Sequence, residues 1–369
     1  MASRTEGIYE PSEPAYSGPM PGSAARSRAR DRIVRIARSS IDLDSMRLEV
    51  IAELRRAIGF VSWCWPLMDP EAVLPTTALF DLEFSDALPR LLLLEERPDE
   101  VNTKRRLVEA PDQTAILSAA TQGDLRRSAR WRDVYQPAGI GDEVRMAMVD
   151  GYGPWAVVEL WRASDDRPFR EGDATLLAET RRALTEAMRR SAVRPPDREP
   201  GPPLSPAVVV VDERFEVYAQ TPTVQQWLDL FLPRDLPYLS RCPGFVWQLA
   251  ARVLSLGKDA PDPSARIRLR AADGRWVVAE GQRLEGTSVP SVAITMRPAA
   301  VPEIFDIVCR GYGLTVRETE FARLVVQGLD TAAVARALWV SEYTVNDHLK
   351  SIFSKVGVRS RLELAAAIA

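Results

Sequence analysis

Five polar side chains near the C-terminus, Tyr343, Asn346, Asp347, Lys350 and Ser354, fall on one side of a helix at about 100° per residue. Their chemistry matches that of nucleic-acid groups. The Asn346 amide donates and accepts together, the pattern that adenine N6 and N7 present. Asp347 can accept from cytosine N4 and repels phosphate. Thr344, Lys350, Lys355 and Arg359 supply a hydroxyl and three cations suited to phosphate or base contact. On the opposite side Val345, Leu349, Ile352, Phe353 and Val356 make one apolar stripe. A helix from Ser341 to Lys355 with these two faces has the form needed to lie in a major groove about 12 Å wide.

Such a helix must be held by others. Thr315 and Glu318 have the spacing of a capping box, so a helix starts there, with Phe321, Leu324 and Val325 inward. Gly328 is a left-handed stop. Asp330 caps a second helix over 331–338 that buries Val334, Ala335 and Leu338. A turn, Trp339-Val340-Ser341, leads into the polar-faced helix, with Ser341 as its cap. Gly357 ends it, and a short helix over 362–367 follows. His348 lies on the flank, equally suited to packing or to DNA contact; Trp339 is expected in the core or an interface.

Several strings here resemble the LuxR-type helix-turn-helix pattern: Leu314-Thr315-x-Arg317-Glu318, Gly328, Ala335-x-x-Leu338, Ser341-x-x-Thr344-Val345-x-x-His348-Leu349-x-x-Ile352, Lys355-x-Gly357-Val358 and Arg361-x-x-Leu364. The resemblance covers about one residue in seven without gaps. It implies an all-α four-helix domain, residues 313–369, whose third helix reads double-stranded DNA. It also implies action as a homodimer, with the last helix supplying the dimer contact. RNA polymerase is a further candidate partner. The family often carries a basic residue where this chain has Asn346, so the target sequence should differ from that of more basic relatives. Seven basic residues from Arg317 to Arg361 are nearly balanced by six acidic ones, so affinity should lean on dimerisation.

The rest of the chain reads as α+β and multidomain. Residues 1–25 are rich in Pro, Gly and Ser without periodicity, and read as a disordered tail. The arginines of 26–38 read as a solvated helix face in preference to a nucleic-acid arm. Strands are expected at 60–65, 144–149 and 155–161, the last two as a hairpin, then a helix at 173–190. Six prolines mark a linker at 191–206. Strands follow at 208–211, 215–218, 267–269, 276–280 and 292–296, with Asp273-Gly274 as a hairpin turn. Residues 26–190, through Arg130-Trp131-Arg132, Gly139 to Arg145 and Phe169-x-x-x-Asp173, resemble a GAF domain, and 207–298 resemble a PAS domain with abbreviated helices. These are sensor folds, and sensors ahead of an output domain resemble many one-component regulators. A connector helix is expected within 299–312 as a transmitter. Trp63, Trp65, Trp131, Tyr135, Trp155 and Trp161 are candidates to line an apolar pocket for a small-molecule effector. The plainer alternatives are strand core and a domain used only for dimerisation.

Composition narrows the remaining classes. The chain has 369 residues, a net charge of −3, 46% hydrophobic and 27% charged residues. That is a globular balance, and DNA affinity must come from a local surface. Three scattered cysteines fit a reduced, cytoplasmic compartment and no zinc site. The single histidine, His348, excludes histidine-based metal, catalytic and phosphorelay chemistry from the preceding residues. No apolar run approaches the about 20 residues of a membrane span. Gly257-Lys258-Asp259 lacks the rest of a phosphate-binding loop. Asp42 and Asp44 lie in a helical stretch, unlike the acidic cluster of a phosphorylated receiver. No catalytic motif is present, so no cofactor or enzymatic role is expected, although carboxylates are abundant. A polymerase-binding factor with a similar helix-turn-helix is the remaining alternative.

Overall fold

The computed structural model describes residues 23–39, 41–196, 201–231, 244–256, 265–271 and 273–368. The expected tail therefore lies outside the described residues except for its last three, which open a helix. Cys242, Gly257-Lys258-Asp259 and part of the proline-rich stretch also lie outside them.

The first unit begins with two helices, α1 (Ser23–Arg38) and α2 (Leu43–Ile58). Asp42 separates them by capping α2, accepting from the Asp44 and Ser45 amides. Strands β1 (Ser62–Asp69) and β2 (Leu74–Asp81) follow, then helices α3 (Leu88–Glu95) and α4 (Lys104–Glu109). Next come β3 (Thr114–Ile116), the single turn α5 (Leu117–Ala120), the long hairpin β4 (Ile140–Asp150) and β5 (Gly153–Ala163), and α6 (Glu171–Ser191). All neighbours in this sheet are antiparallel, in the order β2-β1-β5-β4-β3.

Both faces of β4 and β5 are covered, and the alternation of a strand sorts their side chains. Val144, Met146, Met148, Ala156, Val158 and Leu160 join the core under α1, α2 and α6. Glu143, Arg145 and Glu159 point to the other face, where α3 and α4 bring further charges. The arginines of α1 are held in part by ion pairs: Arg26 to Asp173 (3.2 Å) and Arg32 to Glu53 (2.6 Å). Asp142 accepts from the Ser118 and Phe169 amides, so Phe169-x-x-x-Asp173 acts locally by joining α6 to the sheet.

The second unit has β6 (Ala207–Asp212), β7 (Val217–Gln220), α7 (Val224–Phe231), α8 (Gly244–Ser255), β8 (Ala265–Arg270), β9 (Trp276–Leu284) and β10 (Ser291–Pro298). Its antiparallel order, β7-β6-β10-β9-β8, repeats the second-first-fifth-fourth-third order of the first sheet without a repeat in sequence. Helix α8 covers one face of this sheet. It also packs on α3 and β2, so Leu74 and Leu92 of the first unit share its core. At the same junction Arg268 forks onto buried Asp69 (2.9 and 3.0 Å), and Arg252 and Gln248 meet Glu96 (both 3.0 Å).

Five helices close the chain: α9 (Val301–Gly311), α10 (Val316–Val326), α11 (Thr331–Leu338), α12 (Glu342–Val356) and α13 (Arg361–Ile368). The connector α9 is more than a spacer. Ile304, Phe305, Val308 and Cys309 belong to the same core as Phe321, Val345 and Ile352. The helical unit also touches the first unit, through Tyr152 OH to the Gly313 carbonyl (2.9 Å) and Arg189 to the Gly311 carbonyl (3.2 Å).

Candidate nucleic-acid interface

Local signals fix each helix of the C-terminal unit. The Glu318 amide donates to Thr315 Oγ1 (3.2 Å), and Glu318 Oε2 accepts from the Thr315 amide (2.7 Å), completing the capping box. Gly328 (φ +91°) supplies the left-handed residue after α10. Asp330 accepts from the Ala333 amide (2.7 Å) at the start of α11. Ser341 accepts from the Thr344 amide (3.1 Å) at the start of α12, and Gly357 (φ +78°) ends it.

Helix α12 then divides as its spacing dictates. Val345, Leu349 and Ile352 are buried in the core shared with α10, α11 and α13. Tyr343, Asn346, Asp347, Lys350 and Ser354 are exposed along the opposite side. Lys350, 80% exposed at its side chain, sits 3.7 Å from Asp347, so a mobile cation and a carboxylate stand side by side. Thr344 is half-buried and its hydroxyl lies 2.9 Å from Ser341 Oγ. Arg359 is exposed just beyond the helix.

Lys355 Nζ lies 2.6 Å from Glu318 Oε2, which ties α12 to α10 while the lysine side chain stays about one-third exposed. His348 stacks on Phe321, with ring centroids 4.2 Å apart and 21° between planes, a packing contact that leaves the imidazole half-buried on the flank. Trp339 is 94% exposed in a left-handed conformation (φ +56°), which removes the core alternative expected for it and leaves the interface one. The turn after α11 needs that backbone and carries the indole outward, beside the start of α12. Arg361 donates to the Leu329 carbonyl (2.6 Å) and Thr331 Oγ1 (2.7 Å), anchoring α13 to the loop before α11.

Glu318 is the pivot of this arrangement. Burial alone would raise its carboxyl, but hydrogen bonds from Lys355, Ser351 and Thr315 outweigh that and hold it down to about 2. Glu318→Ala should therefore cost about 2–3 kcal/mol, the loss of a cap and of charged hydrogen bonds together. Because the folded carboxyl is depressed, the unfolded chain takes up the proton first as pH falls. The contribution is complete at neutral pH and is lost between the ordinary carboxylate range and about 2. Urea unfolding followed across that range checks both; equal stability of the variant and the parent at pH 7 would contradict them.

The six aromatic candidates do not gather around one cavity. Trp63, Trp65 and Trp155 lie in the helical core of the first sheet. Tyr135 and Trp161 are buried on the opposite face, with Trp131 against them. Alternation sets Trp63 and Trp65 opposite Cys64, which faces the second set, whereas Trp155 parts from Trp161 on the same strand because a register shift at Met148/Val149 leaves Trp155 unpaired. Among the described residues no group of His, Cys, Asp and Glu has the arrangement of a metal site. No described helix is long and apolar enough to cross a membrane.

Residues 313–368 match the sequence profile of the family described as bacterial regulatory proteins, luxR family. The nitrate/nitrite response regulator protein NarL of Escherichia coli K12 is 40% identical over 105 residues, 28% of this chain and 44% of that protein. The spore germination protein GerE of Bacillus subtilis is 42% identical over 48 residues, 13% of this chain and 65% of that protein. The chain thus spans less than two thirds of the length of either relative. Over the whole chain, the crystal structure of Escherichia coli SdiA aligns with 92% of this chain and 95% of its own, at 11% identity and a TM-score of 0.33.

Proposed function

We propose that this chain, whose last five helices include a LuxR-type helix-turn-helix domain, is a sequence-specific DNA-binding regulator of transcription. The observation that carries the proposal is the division of α12. A buried apolar stripe fixes the helix, and a continuous polar face of Tyr343, Asn346, Asp347, Lys350 and Ser354 stands free. In this account α12 enters the major groove. Asn346 and Asp347 read base edges, while Lys350, Thr344 and Arg359 meet phosphates. Lys355, tied to Glu318, is a further cation within reach of phosphate.

The protein acts as a dimer in the cytoplasm, as a one-component regulator. The GAF-like unit (26–190) and the PAS-like unit (207–298) serve as sensors or dimerisation modules, the stretch 191–206 links them, and 299–312 connects them to the reader at 313–369. The last helix leaves Leu362 82% exposed, an apolar side chain placed to pack on a second copy. Leu362→Lys should give a monomer with an affinity for an inverted repeat lower on the order of 100-fold, since two linked half-sites would no longer be bound together. Sedimentation with and without the duplex reads both; an unchanged dimer would remove α13 from the interface.

The regulator proposal itself is tested by chromatin capture of the intact protein and of an Asn346→Ala, Lys350→Ala variant. Discrete sites sharing an inverted repeat, lost in the variant, support it. Equal and diffuse recovery of both proteins overturns it.

A further inference from the structure

We propose that the junction of the three units holds a binding site for a small organic anion with an apolar body, and that this ligand is an effector. A cavity of about 390 Å³ lies there. This is within the range of about 300–1,000 Å³ typical of small-molecule sites. Its walls come from β1 and β2, from the end of α6, from β8 and β9, and from Ile307 of α9.

The lining chemistry selects the ligand class. Trp155, Met188, Trp276 and Ile307 give apolar and aromatic surface. Arg270 supplies an uncompensated cation. Its Nε donates to the Gly274 carbonyl (3.1 Å) and its Nη1 to the Ser191 carbonyl (3.2 Å), and among the described residues no carboxylate pairs with it. The neighbouring Tyr312 phenol, which burial keeps protonated, adds no negative charge beside it. A half-buried guanidinium held only by carbonyls is aimed but not neutralised, which favours an anion beside it. Arg47, 3% exposed, lines the same cavity, and its Nε has no hydrogen-bond partner among the described residues. Of the two carboxylates in the lining, Asp42 caps α2 and Asp44 pairs with Arg47 in the same wall, so Arg270 is the cation that neither of them meets.

On the other face of the first sheet, by contrast, the buried cations are matched by carboxylates. Lys104, Arg130 and Arg145 interlock there with Glu95, Glu100, Glu143 and Glu159.

Position makes the ligand an effector, a step that rests on the regulator proposal above. Ile307 borders the cavity, while Ile304, Phe305, Val308 and Cys309 of the same helix pack in the DNA-reading unit. Trp276 lines the cavity and packs against that same core. An occupant that prefers one setting of α9 shifts the reader by its differential affinity.

The test uses the full chain and two dyes of similar shape, anionic 1-anilinonaphthalene-8-sulfonate and neutral N-phenyl-1-naphthylamine. The sulfonate should bind one per chain. Arg270→Gln should weaken it at least tenfold and leave the neutral dye unaffected, while Arg270→Lys keeps sulfonate binding. Unchanged circular dichroism of the variants shows that they fold. Absence of sulfonate binding, or equal binding by Arg270→Gln, overturns the site. With a recovered operator duplex, the sulfonate should change DNA affinity of the parent and not of Arg270→Gln. An unchanged affinity overturns the effector role. Failure of the untreated parent to bind any duplex sinks the regulator proposal instead, and leaves the dye result standing.

Discussion

Arg145→Ala should destabilise the first α/β unit by about 3–5 kcal/mol, the usual consequence of removing one partner from a buried charge group. The side chain is 1% exposed. Its guanidinium reaches Glu95 Oε1 (2.6 Å), Glu143 Oε1 (2.9 Å) and Glu159 Oε1 (2.7 Å), and donates to the Asn102 carbonyl (2.9 Å). Arg130, fully buried, meets Glu95 (2.9 Å), Glu143 (3.1 Å) and Glu100 (3.4 Å), and Lys104 meets Glu159 (3.0 Å). Without Arg145, three buried carboxylates lose a shared counter-ion. Lysine should not restore the loss, because a single ammonium cannot fork toward three carboxylates. The control is Arg182→Ala: that side chain is 93% exposed beside Glu186, and the change should stay within about 0.5 kcal/mol. Chemical unfolding of the intact chain measures both variants; equal midpoints would contradict the role assigned to the cluster.

The same cluster carries a pH signature. Burial pushes Glu95 and Glu143 upward, but the surrounding Arg145, Arg130 and, for Glu95, Lys104 hold both below the ordinary carboxylate range. Depressed carboxylates stabilise the fold at neutral pH, and that contribution is lost as pH falls below the ordinary range. In Arg145→Ala this acid limb should begin at higher pH than in the parent.

Much of the C-terminal helical unit was legible in the sequence because its instructions are local. Thr315, Asp330, Ser341 and Gly357 each act within four residues, and all four stand at the helix ends expected of them. The hairpins at Gly151–Gly153 and Asp273-Gly274 were legible for the same reason. What escaped depends on partners far apart in the chain. Strand β2 contains Pro75 and runs along the sheet edge, so neither propensity nor alternation marks it. Helix α8 is buried against both a sheet and α3, and so lacks the polar face that would reveal its period. The ion cluster joins residues as distant as Glu95 and Arg145, and the Glu318–Lys355 tie joins two helices. Six aromatics suggested one pocket, but a bulge at Trp155 and a helical turn at Trp131–Tyr135, neither marked by spacing, divide the set between two faces.

The second large effect falls on DNA recognition. Asn346→Ala removes the amide assigned to a base edge. It should cost about 1–3 kcal/mol on the specific duplex and relax discrimination at one base position, with little change on unrelated DNA. Lys350→Ala removes a cation that is 80% exposed and only loosely paired. It should weaken binding across all sequences and reduce the salt slope by about one ion per chain. The two changes act through different terms, so the double variant should lose close to the sum of both.

The most direct measurement is therefore the affinity of the parent, Asn346→Ala and Lys350→Ala for one recovered operator duplex and one scrambled duplex, across a series of salt concentrations. The account predicts that Asn346→Ala narrows the gap between the two duplexes at an unchanged salt slope, whereas Lys350→Ala lowers the slope and keeps the gap. Parent-like gaps and slopes in both variants would contradict it, and would mean that the exposed face of α12 does not read DNA.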